Sequence, residues 1–83
     1  MKSHKEKLFL MAKKGNIEAF EKLAEPYYKK VYGLALMAEK DMKKASDLSQ
    51  KVFINAFKQI KNMETEKMFS LSIYKTAKEI IYG

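Results

Sequence analysis

Residues 47–57 read DLSQKVFINAF, and this stretch decides the fold class of the chain. Its apolar side chains recur every three or four positions, which is the spacing of one face of an amphipathic α-helix. With its flanks, that face comprises Met42, Ala45, Leu48, Ser49 (a small neutral gap), Val52, Phe53, Ala56, Phe57 and Ile60. The opposite face carries Asp47, Gln50, Lys51, Asn55 and Lys58. A core does not need these polar side chains, so they are candidates for contact with a partner.

The same helical spacing continues on both sides of this segment. Helices are predicted over about residues 3–14, 17–39 and 42–60, and from residue 66 onward, with residues 61–64 as a loop. Gly15 suits a helix C-terminus, and Asn16, Asp41 and Thr65 suit helix N-caps. Three Gly and one Pro in 83 residues argue against a chain of many β-turns. We therefore predict a single all-α domain, a small bundle of about four helices.

Several positions make sharper predictions about packing. Pro26 removes a backbone donor inside the second helix, so we expect a kink or a short break there. Gly33 in the same helix indicates close packing of another helix. In the first helix the apolar residues are Leu8, Met11 and Ala12, and the six methionines of the chain are interpreted as core filler.

The charge balance favours an anionic partner. The net charge is +7 and every basic residue is a lysine. Such a chain can bind nucleic acid or a membrane surface, although a solvated lysine-rich surface is an equally good interpretation of charge alone. Lysine binds phosphate as a point charge and lacks the planar fork with which arginine reads guanine edges. Charge would therefore supply affinity and positioning more readily than sequence readout.

Composition and motifs exclude several function classes. There is no Cys, His4 is the only histidine, and no phosphate-binding glycine loop or paired-histidine zinc motif occurs. We predict no catalytic residue, no metal and no cofactor, and therefore a protein that is not an enzyme. No apolar run approaches the roughly 20 residues that span a bilayer, and no secretory signal is present. A cytoplasmic protein without a membrane partner is the simplest expectation.

Four blocks of sequence resemble a known family in the same order. Residues 15–20 (GNIEAF) resemble G-D-x-x-A-F, and residues 27–35 (YYKKVYGLA) resemble Y-x-x-x-V-Y-x-L-A. Residues 47–57 resemble D-L-x-Q-E-V-F-x-x-A-W, and residues 69–78 (FSLSIYKTAK) resemble F-x-x-W-L-Y-x-I-A-R. No single block is specific, but together they resemble region 2 of the extracytoplasmic-function group of sigma-70 factors, the promoter-recognising subunits of bacterial RNA polymerase. The match covers about residues 6–82.

The resemblance implies a surface that docks on the clamp helices of the largest subunit of core RNA polymerase. The polymerase-binding residues it implies are Asp47, Leu48, Gln50, Lys51, Ile54 and Asn55. Asp47 and Gln50 can also be ordinary exposed helix residues, and Leu48 can be a core residue. An anti-sigma factor is a further partner that membership of this family would allow.

The resemblance also implies a DNA surface, which captures the non-template strand of the promoter −10 element and holds a base flipped out of the opened duplex. The DNA-binding residues it implies are Lys58, Lys61, Asn62, Met63, Tyr74, Lys75 and Lys78. Lysines would follow phosphates, and apolar or aromatic side chains would contact unstacked bases. Each residue has an ordinary alternative: the lysines as solvated charges, Asn62 and Met63 as loop residues, and Tyr74 as a core residue with its hydroxyl at the rim.

Some positions depart from the family pattern. Lys51 stands where the family has Glu, Ser72 and Phe57 where it has Trp, and Glu79 where Asn is common. These changes alter the charge of both implied surfaces, which bears on association rate and specificity. They motivate an alternative function, a degenerate sigma-like protein-interaction module without promoter recognition. The second domain of such factors, region 4, has no counterpart here, so the chain is expected to be a fragment or else a stand-alone relative.

Overall fold

Four α-helices make up most of residues 3–83, the part of the chain that the computed structural model describes. They are α1 (His4–Lys13), α2 (Ile17–Glu39), α3 (Met42–Gln59) and α4 (Glu66–Tyr82), with a 3-10 turn (Ile60–Asn62) after α3. No strand occurs in this described part, so the predicted all-α bundle of four helices is confirmed. Within it, no helix combines the length and the apolar character that crossing a membrane requires.

Each α-helix begins at a side chain that accepts a hydrogen bond from the first turn. The capping residues are Ser3, Asn16, Asp41 and Thr65, which accept from the backbone N–H groups of Glu6, Ala19, Lys43 with Lys44, and Met68. These bonds satisfy amides that have no partner inside the helix. Gly15 follows the end of α1 with φ +96°, a conformation that glycine adopts without a steric cost. The predicted boundaries at Gly15, Asn16, Asp41 and Thr65 are therefore confirmed.

Two features predicted inside α2, a short break at Pro26 and a close helix contact at Gly33, are absent. The helix continues through Pro26 without the predicted break. Proline has no backbone N–H, so one helical hydrogen bond is missing at this position. Because Pro26 is exposed, this loss leaves no buried backbone group without a partner. A Cβ placed on Gly33 would meet nothing within 4 Å, so this glycine does not mark a close helix contact.

The core lies where α2 packs against the other three helices. Its largest fully buried side chains are Phe69, Leu23, Ile60, Ile73, Val31 and Val52. From α1, Phe9 and Ala12 complete the core. The pattern pointed instead to Met11, which is 46% exposed, and it missed Phe9, which is 3% exposed.

The methionines do not fill the core as predicted. Met1 lies outside the described residues, and Met63 is buried at 6% exposure. The remaining four are exposed: Met11, Met37, Met42 and Met68. Thioether side chains on the surface are available to partners, because methionine adapts its shape to irregular apolar contacts.

Candidate interaction surfaces

Helix α3 is the element that positions most of the implied functional residues. Its inner face is built from small residues, with Ala45, Ser49, Val52 and Ala56 all buried. The Ser49 hydroxyl donates to the Ala45 carbonyl oxygen at 2.7 Å, which satisfies the only polar group on this inner face. A narrow inner face lets α2 and α4 approach α3 from two sides. The remaining circumference of α3 is therefore divided between two grooves and the ridge that separates them.

The implied polymerase-binding residues are divided between two sides of α3. Asp47, Gln50, Lys51 and Ile54 are exposed, whereas Leu48 and Asn55 are half-buried. Gln50 and Ile54 line a groove between α2 and α3, while Asn55 lines a groove between α3 and α4. Asn55 thus lies beside implied DNA residues rather than beside Gln50.

The first groove, which we call the α2/α3 groove, is almost wholly apolar. Its lining residues are Ile17, Phe20, Glu21, Tyr28, Gln50, Phe53, Ile54, Phe57 and Lys58. Two aromatic contacts form its floor: the Phe20 and Phe57 rings meet edge to face at 5.0 Å, and those of Tyr28 and Phe53 lie 5.5 Å apart. On its rim, Ile17 is 59% exposed and Ile54 is 55% exposed. Exposed apolar side chains that are grouped in this way are typical of binding surfaces.

Charged residues border this groove along α2. A neighbouring depression shares Phe20, Tyr28 and Phe53 with the α2/α3 groove and extends it along the helix. Its charged lining residues are Glu18, Glu21, Lys22, Glu25 and Lys29. Three glutamates therefore follow one edge of an apolar groove in a chain whose net charge is +7. This local balance of charge differs from that of the chain as a whole.

The second groove, which we call the α3/α4 groove, is more polar. Its lining residues are Asn55, Gln59, Asn62, Met63, Met68, Leu71, Ser72, Lys75, Thr76 and Glu79. Besides Met63, it brings together two implied DNA residues from different elements, Asn62 of the 3-10 turn and Lys75 of α4. Leu71 is apolar, yet it is 62% exposed. With the exposed Met68, it supplies the apolar part of the groove.

The remaining implied DNA residues lie in different environments. Lys58 lines the α2/α3 groove, and Lys61 and Lys78 are exposed outside both grooves. Met63 is buried in the core at 6% exposure, and it also lines the α3/α4 groove. Tyr74 is half-buried and packs against the core.

Comparison of the chain with protein-family models, with curated proteins and with solved structures found no match in any of the three. Function must therefore be inferred from the residues of the two grooves and from the sequence resemblance.

Proposed function

We propose that this chain is a non-enzymatic transcription-initiation module of the sigma region 2 type. It binds core bacterial RNA polymerase through α3 and the α2/α3 groove, and it holds the −10 non-template strand at the α3/α4 groove. One observation carries the proposal: the D-L-x-Q block lies on a helix whose polar face is exposed, with Gln50 and Ile54 beside an apolar groove. A core explains neither the exposed Ile54 nor the polar residues around it.

The α2/α3 groove suits a helical partner such as the polymerase clamp helices. A helix binds in a groove by inserting apolar side chains at intervals of three and four residues. Phe53 and Phe57 on the floor and the exposed Ile54 on the rim supply the apolar contact for such side chains. Glu21 and Gln50 offer polar groups at the edges. Lys51, exposed on the ridge of α3, would mainly change the rate and selectivity of association.

The α3/α4 groove suits an unpaired strand. Lys75 supplies a positive charge for a phosphate, and Asn62 supplies an amide that can bind a base. Met68 and Leu71 offer apolar contact to the face of a base that has left the stack. Phosphate contacts fix the position of a strand, and polar contacts to base edges provide sequence preference.

A second candidate is the degenerate interaction module, and two observations favour it. Met63, one of the loop residues for which the resemblance implies strand contact, is part of the core. Glu79 brings a negative charge into the α3/α4 groove, where it repels phosphate. Such a module would bind polymerase or a regulator, an anti-sigma factor included, without preferring a −10 sequence.

A pull-down of core bacterial RNA polymerase with the purified chain tests the docking function. Gln50→Ala and Ile54→Asp should reduce the retained polymerase strongly, because both change the α2/α3 groove. Gln59→Ala is the matched control, since it removes a second exposed glutamine of α3 that lies in the other groove. Circular dichroism shows whether each variant is folded. Absence of polymerase binding by the folded wild-type chain would reject the proposal.

A strand-binding measurement separates the two candidates. The chain bound to polymerase should prefer single strands of one −10 sequence over scrambled strands of equal composition. Equal binding of both strands, with polymerase binding intact, would favour the interaction module.

A further inference from the structure

Two amide side chains of α3 are joined at the wall of the α3/α4 groove. The Gln59 Nε2 group donates to Asn55 Oδ1 at 2.9 Å, across one helical turn. Both residues line the groove, together with Asn62 and Lys75. The resemblance implies polymerase binding for Asn55 and no role for Gln59, so the proposed function gives no role to the hydrogen bond between them.

The hydrogen bond leaves a matched donor and acceptor free. Each amide has one carbonyl oxygen and one NH₂ group. The bond occupies the Asn55 oxygen and one hydrogen of Gln59, which leaves the Asn55 NH₂ group and the Gln59 carbonyl oxygen unpaired among the described residues. Rotating both amides by half a turn reverses the bond and again leaves one NH₂ group and one carbonyl. The pair therefore presents a donor beside an acceptor, each restrained by the other.

We propose that this amide pair reads a nucleobase that carries an exocyclic amine beside a ring nitrogen, the edge that adenine and cytosine share. The proposal rests on strand capture at the α3/α4 groove. The amine donates to the free carbonyl of Gln59, and the ring nitrogen accepts from the NH₂ group of Asn55. Asparagine and glutamine make paired contacts of this kind with adenine.

Glu79 decides between bases with an amine and bases with a carbonyl at this position. The edge of thymine also has a donor beside an acceptor, so the amide pair alone could bind it in the reverse sense. A carboxylate only accepts hydrogen bonds, and Glu79 lines the same groove. It attracts an exocyclic amine and repels a carbonyl oxygen. Glu79 therefore contributes to the choice of base, and the positive charge of Lys75 offsets the repulsion between Glu79 and the neighbouring phosphate.

Fluorescence anisotropy of the full chain with short labelled single strands tests this inference at low salt. Four strands are compared, and each carries thymine at two of every three positions. The third position is adenine, cytosine, thymine or hypoxanthine, one base for each strand. Hypoxanthine is adenine with the amine replaced by a carbonyl, so stacking area is kept while the edge is reversed. We expect the strand with adenine to bind about fivefold more tightly than the strand with hypoxanthine, and the strand with cytosine about fivefold more tightly than the all-thymine strand. The usual strength of one paired contact gives a difference of this size.

Variants of Gln59 separate base reading from a structural effect. Gln59→Met removes the acceptor at similar size and should reduce the preference to the part that Glu79 supplies, while leaving the affinity for the all-thymine strand unchanged. Gln59→Glu keeps an acceptor and should retain the preference at lower affinity for every strand. Ser46→Ala removes a polar group of α3 that lines neither groove, and as the control it should change neither quantity.

The possible outcomes distinguish this inference from the function on which it rests. A preference for the amine-bearing bases that falls in Gln59→Met supports base reading by the amide pair, and a preference that is unchanged in Gln59→Met overturns it. Equal affinity of the wild-type chain for all four strands overturns base reading and leaves strand capture in place. No binding of any strand by the folded chain overturns both.

Discussion

Tyr27 and Tyr74 meet edge to face, with ring centroids 5.9 Å apart and an interplanar angle of 80°. Tyr27 also meets Phe69 at 6.1 Å, and Phe69 meets Phe20 at 5.8 Å. Tyr74 is therefore the last ring of an aromatic series that joins α2 to α4 through the core. Aromatic pairs in this geometry stabilise a fold beyond the area that they bury. This contact supports the core role for Tyr74, the alternative to stacking on a base.

Removing the Tyr74 ring should reduce stability. Tyr74→Ala is expected to lower the free energy of unfolding by about 2 kcal/mol, less than for a fully buried aromatic because the residue is half-exposed at the rim. Tyr74→Phe keeps the ring and should change it by less than about 0.5 kcal/mol. Urea unfolding followed by circular dichroism measures both. Full stability of Tyr74→Ala would show that the ring contributes little to the core.

Two glycines should respond in opposite directions to the same substitution. Gly33→Ala is expected to stabilise the chain by about 0.5–1 kcal/mol, because the position is helical and a Cβ there meets no atom within 4 Å. Gly15→Ala should destabilise it by about 1 kcal/mol, because φ at Gly15 is +96°. Thermal unfolding of both variants provides the comparison. A destabilised Gly33→Ala variant would restore the prediction of a close helix contact at Gly33.

Ser49 should tolerate loss of its hydroxyl but not gain of volume. The residue is fully buried, and its hydroxyl bonds only to the carbonyl oxygen of Ala45 within the same helix. Ser49→Ala should stay within about 1 kcal/mol of the wild type, since alanine favours the helix and the carbonyl keeps its helical bond. Ser49→Leu should cost about 3 kcal/mol or prevent folding, because the inner face of α3 has no room for it. Equal stability of the two variants would contradict close packing at Ser49.

Helix boundaries were predictable because they depend on neighbouring residues. The signals at Asn16 and Thr65 act over three positions, and the backbone N–H groups they cap are those that the sequence indicates. The fold class followed in the same way from spacing along each helix. No break occurs at Pro26, because an exposed proline is tolerated when packing on either side of it maintains the helix.

The two grooves were not predictable, because each is formed by residues of different helices. Spacing along α3 places Gln50 and Asn55 on one broad polar face, but it does not say which neighbouring helix approaches each side. The packing of α2 against α3 puts Gln50 in one groove with Tyr28, and the packing of α4 against α3 puts Asn55 in the other groove with Ser72. The same limit applies to Leu71. Its apolar side chain predicts burial, and only the position of α3 relative to α4 shows that it is exposed in the α3/α4 groove.

The lysines of α4 make the strand-binding surface testable through salt dependence. Each phosphate contact to a single strand adds about 0.7 to the slope of log affinity against log salt concentration, so Lys75→Ala with Lys78→Ala should reduce the slope by about 1.4 if both lysines contact phosphate. Lys29→Ala with Lys30→Ala removes the same charge from exposed positions of α2 and should leave the slope nearly unchanged. Anisotropy titrations with an all-thymine strand at several salt concentrations give all three slopes. Equal reductions in the two double variants would mean that the strand responds to net charge alone, and α4 would then have no special part in binding it.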